Sequence, residues 1–190
     1  AAVVVPVRFS PEPCALVVTE GFEDVLRIGD QTRPSLFDIR VLRPPPLTER
    51  VIGVPVRAAS DGEVLREELD ELRLGELEGL RSVAIAVLHG PRAPELERHL
   101  AERVGLAPSV EHISLSHEVD DERGLLARAE TTVVDAYLSP LLRDYVERLR
   151  AELPGSELSI MQSSGSLTDA ATFRGRHAVL SGPAGGVVAL

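Results

Sequence analysis

Short apolar, β-branched runs recur along the chain between polar or turn-forming residues: "AVVVPV" (2–7), "ALVVT" (15–19), "VIGVPVRA" (51–58), "SVAIAVLH" (82–89), "VEHISLS" (110–116), "LSIMQS" (158–163) and "HAVLS" (177–181). Their length and composition predict strands. Between them, apolar positions return at helical spacing in 23–29, 68–80, 94–105 and a long stretch, 122–153. In the last, Leu125, Leu126, Val133, Val134, Tyr137, Leu138, Leu141, Leu142, Tyr145, Val146 and Leu149 recur at three and four, with Arg and Glu on much of the other face. This predicts a core helix, interrupted near Pro140. Strands alternating with helices predict an α/β fold, a mixed sheet with flanking helices. An Asp-Gly turn in "ASDGEV" (59–64) makes 49–67 a predicted hairpin. Prolines in "TRP" and "RPPPL" predict that 31–46 is an extended surface excursion.

The composition narrows the partners. The net charge of −10 opposes a phosphate backbone, and 3% aromatic residues leave few stacking platforms for bases, so nucleic acid is not an expected partner. No run of about 18 apolar residues predicts a membrane span, and no arginine-led signal segment is present. Cys14 is the single cysteine, so no disulfide forms within the chain, and a cytoplasmic setting is expected. All 20 basic Lys+Arg residues are arginine, which removes Schiff-base and lysine-base mechanisms. Because the chain begins with Ala1 rather than Met, it is expected to be a piece of something larger.

Candidate chemistry is sparse. The closing "VLSGPAGGVVAL" (179–190) is a glycine-rich turn entering a helix, but Gly182, Gly185 and Gly186 fit neither GxGxxG nor GxxxxGK[ST]. Close helix packing is the plainer reading, with Pro183 tolerated in the first turn. His89 ends the run "SVAIAVLH", at the carboxyl edge where α/β sheets place ligands, and suits a ligand, a base or a hydrogen-bonded strand end. "SHEVDDE" (116–122) gathers His117 and four carboxylates, but Asp121 stands where HExxH needs histidine. An acidic first turn for the long helix is the favoured reading. His99 and His112 read as structural. No GxSxG elbow is present, and Cys14 has no nearby histidine in sequence. "MQSSGSL" (161–167) carries Gln162, Ser163 and Ser164 into a turn, where they suit either a substrate amide or the turn itself.

The order of these segments is more specific than any one of them. "TEGFEDVLRIGDQTRPSLFDI", "VAIAVLHG", "SHEV" with Glu122 and Arg128 beyond it, "TTVVDAYLSPLL", "IMQSSGSL" and "VLSGPAGGVV" resemble successive motifs of the hydantoinase A/5-oxoprolinase family, from Ala15 to Leu190. The resemblance implies part of an actin-like, ribonuclease H-like ATPase architecture, lying between its two phosphate loops. Residues 1–190 would form its N-terminal-type α/β region and end at the interdomain connecting helix, 183–190. It implies ATP-dependent opening of a cyclic amide of hydantoin or 5-oxoproline type by the parent protein. ATP and Mg2+ would be bound there and not by this chain alone, whose own metal dependence stays open. The remainder of the chain and a B-type subunit are the implied partners. A ketone-activating carboxylase subunit and a non-catalytic assembly module are the alternatives. His89 is the implied metal ligand or acid/base, Arg33, Gln162 and Ser163 are substrate contacts, and Gly182, Pro183, Gly185 and Gly186 form the hinge. The chain departs from the family pattern at Leu96, Asp135, Ser164 and Ser166.

Overall fold

A computed structural model describes residues 14–30, 32, 37, 45–121 and 124–188. The expected strand at 2–7, most of the excursion at 31–46, and Arg33 lie outside the described residues. At the centre are four parallel strands, β1 (Cys14–Thr19), β2 (Arg50–Val54), β5 (Ser82–Ala86) and β6 (His112–Leu115), in the order β2-β1-β5-β6. Among the described residues, antiparallel pairing is confined to two ribbons. One joins β3 (Val56–Ala58) to β4 (Val64–Glu67), and the other joins β7 (Ser159–Met161) to β8 (Leu167–Asp169).

Every residue of β1 and β5 is buried, as expected of parallel strands covered on both faces. Alternation along each strand divides the core. Ala15, Val17, Val83, Ile85 and Val87 meet Leu96, Leu100 and Val104 of α2 (Pro94–Val104), together with Leu72, Leu77 and Leu80. Cys14, Leu16, Val18, Ala84 and Ala86 face Leu125, Ala129, Val133 and Ala136 of α4 (Leu125–Glu152). Short α1 (Val25–Ile28) lies beside α4, and α3 (Ser116–Val119) is one turn following β6. Each fully buried Val, Leu or Ile stabilises the fold by about 1.5–3 kcal/mol relative to exposure.

Several expectations require correction. Residues 68–80 form two 3-10 turns, Leu69–Glu71 and Leu74–Leu77, rather than an α-helix. Leucines at 69 and 72, then at 74, 77 and 80, repeat every three residues, the period at which 3-10 side chains align. Gly79, at φ 77°, breaks any continuation. The run 51–58 is two strands. Pro55 has no N–H, and there the chain leaves the parallel sheet for the β3–β4 ribbon, so the hairpin spans 56–67 rather than 49–67. α4 runs unbroken through Pro140, because burial along its sheet-facing side outweighs the roughly 3 kcal/mol a proline costs inside a helix. "HAVLS" is not a strand: Gly175–His177 is a 3-10 turn and α5 (Ser181–Val188) already begins at Ser181. Its backbone is held by a turn instead of a neighbouring strand, with the His177 carbonyl accepting from Ser163 N and Oγ, both at 2.7 Å.

Candidate functional site

The carboxyl ends of the parallel strands meet the amino ends of α2 and α4, and buried polar groups assemble there. Glu97, on α2 beside the core leucines Leu96 and Leu100, is fully buried. Four donors converge on its carboxylate. Oε1 accepts from the Val87 N–H at 2.9 Å and the Ser116 hydroxyl at 2.5 Å, while Oε2 accepts from the His117 N–H at 3.0 Å and from its Nδ1 at 2.7 Å. Gly90 is small because this carboxylate occupies its Cβ space: an added Cβ would stand 3.0 Å from the Glu97 Cδ and closer still to Oε1.

Arg128, from the first turns of α4, is also fully buried. It donates from Nε to the Ser116 hydroxyl at 3.2 Å and from its terminal amine to the Val87 carbonyl at 2.7 Å. Burial pulls its basicity below the ordinary guanidinium value, opposed by the negative charges of Glu97 and Asp120. Val87 therefore gives its N–H to the carboxylate and its carbonyl to the guanidinium. A buried acid and a buried base are tied together through one residue at the end of β5.

This arrangement fixes His117. With Nδ1 donating to Glu97, Nε2 is the ring nitrogen left to accept, the carboxylate–histidine device that sets a tautomer and orients a ring. Nε2 is buried and has no hydrogen-bond partner among the described residues, whose nearest acid to it, Glu118 Oε1, is 3.8 Å away. The side chain is 8% exposed. An orphaned acceptor in so ordered a setting suits a ligand N–H or O–H. α4 begins at Leu125 with no acid in its first turn, so the "SHEV" residues form a separate turn and do not serve the long helix's dipole as expected.

His89 lies two residues beyond Val87 on the same strand end. It is the one non-glycine at positive φ (59°) among the described residues, in the left-handed region that costs a side-chain-bearing residue. Its ring makes no hydrogen bond with the described residues, and the preceding Leu88 N–H is anchored on Thr19 Oγ1 at 2.9 Å. The fold thus brings His89 and His117 to the same edge of the sheet.

Gln162 and Ser163 sit elsewhere, in the β7–β8 turn, with both side chains engaged. Gln162 Oε1 accepts from Ser166 Oγ at 3.1 Å, its amide nitrogen lies 3.4 Å from His177 Nδ1, and Ser163 Oγ accepts from the Leu180 N–H at 3.0 Å. They hold the entry of α5. In α5, a Cβ on Gly182 or Gly186 would meet nothing within 4 Å among the described residues, one on Gly185 would make ordinary contact with Met161 Cγ at 3.7 Å, and Pro183 is exposed. The sequence alone assigns Glu97 and Ser116 no role of their own, although Ser116 opens the "SHEV" motif. A signal existed, since Glu97 and Arg128 each occupy the apolar stripe of a helix, where an ionised side chain needs a partner.

Among the described residues, no group of three His, Cys, Asp or Glu side chains comes together to hold a metal ion, and no helix is long and apolar enough to cross a membrane.

Comparison with known proteins accounts for the arrangement of elements. The chain matches the hydantoinase/oxoprolinase N-terminal region over residues 4–105 and the hydantoinase/oxoprolinase domain over 128–190. It is 34% identical to the 5-oxoprolinase of Saccharomyces cerevisiae over 93% of its own length and 16% of that protein's. The crystal structure of the ATP-dependent caprolactamase from Pseudomonas jessenii superposes with a TM-score of 0.74 at 29% identity, covering 90% of this chain and 27% of that one. A nucleotide-free acetone carboxylase shares the fold at a TM-score of 0.70 and 20% identity, over 93% of this chain and 28% of that one. The chain spans about a sixth of the length of the curated 5-oxoprolinases it matches. Its parallel sheet with flanking helices is accordingly part of an actin-like ATPase architecture. With both domain matches in chain order on that fold, the chain belongs to the hydantoinase/oxoprolinase family.

Proposed function

We propose that this chain serves a longer enzyme that opens a cyclic amide in an ATP-dependent reaction, and that His117 is its contact with the reacting amide. The observation that carries this reading is the buried, unpartnered Nε2, held as an acceptor by Glu97 at the carboxyl edge of the sheet. A lactam presents an N–H donor beside its carbonyl oxygen. Accepting that hydrogen bond, and drawing off the proton, raises the electron density on the oxygen and favours its attack on an electrophile. His89 lines the same edge and is the second candidate for proton transfer or ligation. Arg33, Gln162 and Ser163 remain proposed polar contacts to substrate, and Gly182, Pro183, Gly185 and Gly186 the proposed hinge.

ATP supplies the phosphoryl electrophile when bound. The described residues do not fit it: the chain has no lysine, its closing glycines lack phosphate-loop spacing, and no metal-holding cluster is present among them. ATP and Mg2+ are therefore assigned to the remainder of the protein. A second subunit fits as a partner, since one similar protein is a caprolactamase subunit alpha. Activation of a ketone by a carboxylase is the second reading, favoured by the shared fold with acetone carboxylase. The intact Glu97–Ser116–Arg128 network with an open histidine acceptor speaks against a module without catalysis.

The test is His117→Asn in the full-length protein, because the asparagine amide keeps a donor for Glu97 and removes Nε2. ATP-dependent lactam opening should fall by about a hundredfold or more, the scale of losing a general base. His89→Ala should lower turnover similarly, while His99→Ala, whose exposed ring pairs only with Glu67, should leave it nearly intact. Unchanged turnover in His117→Asn would refute the role of Nε2. Turnover of a ketone with bicarbonate, and none of lactams, would select the carboxylase reading.

A further inference from the structure

A cavity of about 220 Å³ opens at the other end of the sheet, between α4 and residues 170–174. His112, at the start of β6, lines it together with Leu142, Val146, Phe173 and the guanidinium groups of Arg143 and Arg174. It is smaller than the clefts of about 300–1,000 Å³ that take drug-sized molecules, so its ligand is small. We propose that this cavity binds a small organic carboxylate, with its charge between Arg143 and Arg174 and its apolar body against Val146 and Phe173. The proposal does not depend on the reaction proposed above.

The charge inventory points to an anion. Arg174 has neither an ion pair nor a side-chain hydrogen bond among the described residues, and Arg143 spends one N–H on the neutral ring of His112, at 3.1 Å from Nδ1. Neither guanidinium is therefore neutralised. Burial, with help from Arg143 and Arg174 and against the pull of Asp135, holds His112 down at about 4, so at neutral pH its ring adds no charge and serves as an acceptor. Arg150, also on the lining, reaches Asp169 only at 3.8 Å, and Glu147 has no ion pair within 4.0 Å among the described residues. Three guanidinium groups thus face one cavity acid and one distant partner, in a chain whose net charge is −10. A guanidinium presents its donors as a planar fork that fits a carboxylate. The wall selects among anions: Leu142, Val146 and Phe173 offer nothing to a fully hydrated inorganic ion and cover a hydrocarbon body.

The cavity also has a built-in reporter. His112 Nε2 donates to Ser114 Oγ at 3.0 Å, Ser114 donates to Asp135 Oδ2 at 2.8 Å, and Asp135 Oδ1 accepts from the Arg176 N–H at 2.9 Å. A ligand that draws Arg143 away from His112 is felt along this chain at the Arg176 amide, outside the cavity.

Benzoate is a suitable probe, titrated into isotope-labelled protein at constant ionic strength and followed by NMR, with benzamide and inorganic phosphate as comparators. Benzoate should bind saturably and shift the signals of His112, Phe173 and the Arg176 amide. Benzamide should bind at least tenfold more weakly, and phosphate more weakly than benzoate. Arg174→Ala, at an exposed position without partners, should raise the benzoate Kd at least fivefold, and Arg143→Ala should do so too. Arg148→Ala, on the same helix but outside the lining, should change it less than twofold. The proposal is overturned if benzoate shows no saturable shift, if benzamide or phosphate matches it, or if Arg174→Ala and Arg148→Ala behave alike.

Discussion

At the carboxyl ends of β5 and β6, Glu97 and Arg128 are wholly removed from water, whereas at the amino ends of the same strands Arg81 and Asp144 keep 25% and 41% of their side-chain surface exposed. Both ends contain an acid and an arginine, bridged through Ser116 and Val87 at one and joined directly at the other, and they do different things. Inside, the Glu97 oxygens and the Ser116 hydroxyl are all engaged, and His117 Nε2, without a partner among the described residues, stands out for that reason. Outside, Arg81 forks onto both Asp144 oxygens at 2.8 and 2.9 Å and reaches Glu111 at 2.7 Å, pinning α4 to the sheet while water screens the charges. Charge buried at one end specifies a geometry; charge left wet at the other fastens elements and leaves arginines free for a ligand.

The sharpest way to break this contrast is to remove one partner at each end and compare urea unfolding. Glu97→Ala leaves the Val87 and His117 donors and the Ser116 hydroxyl without their acceptor and removes the negative charge that offsets the buried Arg128 guanidinium. It should cost about 3–5 kcal/mol, the range for a buried pair losing one member. Adding Arg128→Met should cost less than the sum of the two single changes, because the positive charge that Glu97 offsets disappears with it. A loss below about 1 kcal/mol for Glu97→Ala would show that the network is not the anchor described. Arg81→Ala should cost only about 1–2 kcal/mol, since its bidentate geometry is favourable but half solvated, and the loss should shrink in high salt.

The smallest effect is a dependence on pH. The folded state holds His112 at about 4, below the ordinary histidine value near 6.5, so below pH 6.5 the unfolded chain takes up a proton that the folded chain refuses. The stabilising contribution is therefore complete above about pH 6.5 and declines as pH falls toward 4, with a slope no steeper than about 1.4 kcal/mol per unit. Asp135 faces this ring from α4, Arg143 lies beside it, and Arg174 approaches from the segment before α5; the two arginines reinforce the shift and the aspartate opposes it. Unfolding midpoints of the native chain and His112→Gln, compared across that window, should converge on acidification. Parallel curves would show that His112 does not carry the dependence.

Much of this was legible in advance. The apolar runs of β1, β5 and β6 and the helical periods of α2 and α4 reported their own burial, because one-sided or two-sided contact with a core leaves a pattern within a single element. The order of six motifs carried the family. Less legible were segments whose conformation depends on neighbours. "HAVLS" has the composition of a strand but no strand beside it, and the leucines of 68–80 fit a helix until their spacing of three is weighed against Gly79.

The sequence by itself determined which stretches are buried, that they alternate as α/β, and that this chain carries the motif order of the hydantoinase/oxoprolinase family. Only the tertiary structure decided where the buried charges go. Glu97 meets Ser116 across 19 residues of chain and Arg128 meets Val87 across 41, so their pairing depends on how α2, α3 and α4 close around the end of β5. A periodicity records that a side chain is inside. Its hydrogen-bond partner is set by distance and direction in space, and the orphaned acceptor of His117 exists only once those elements have packed.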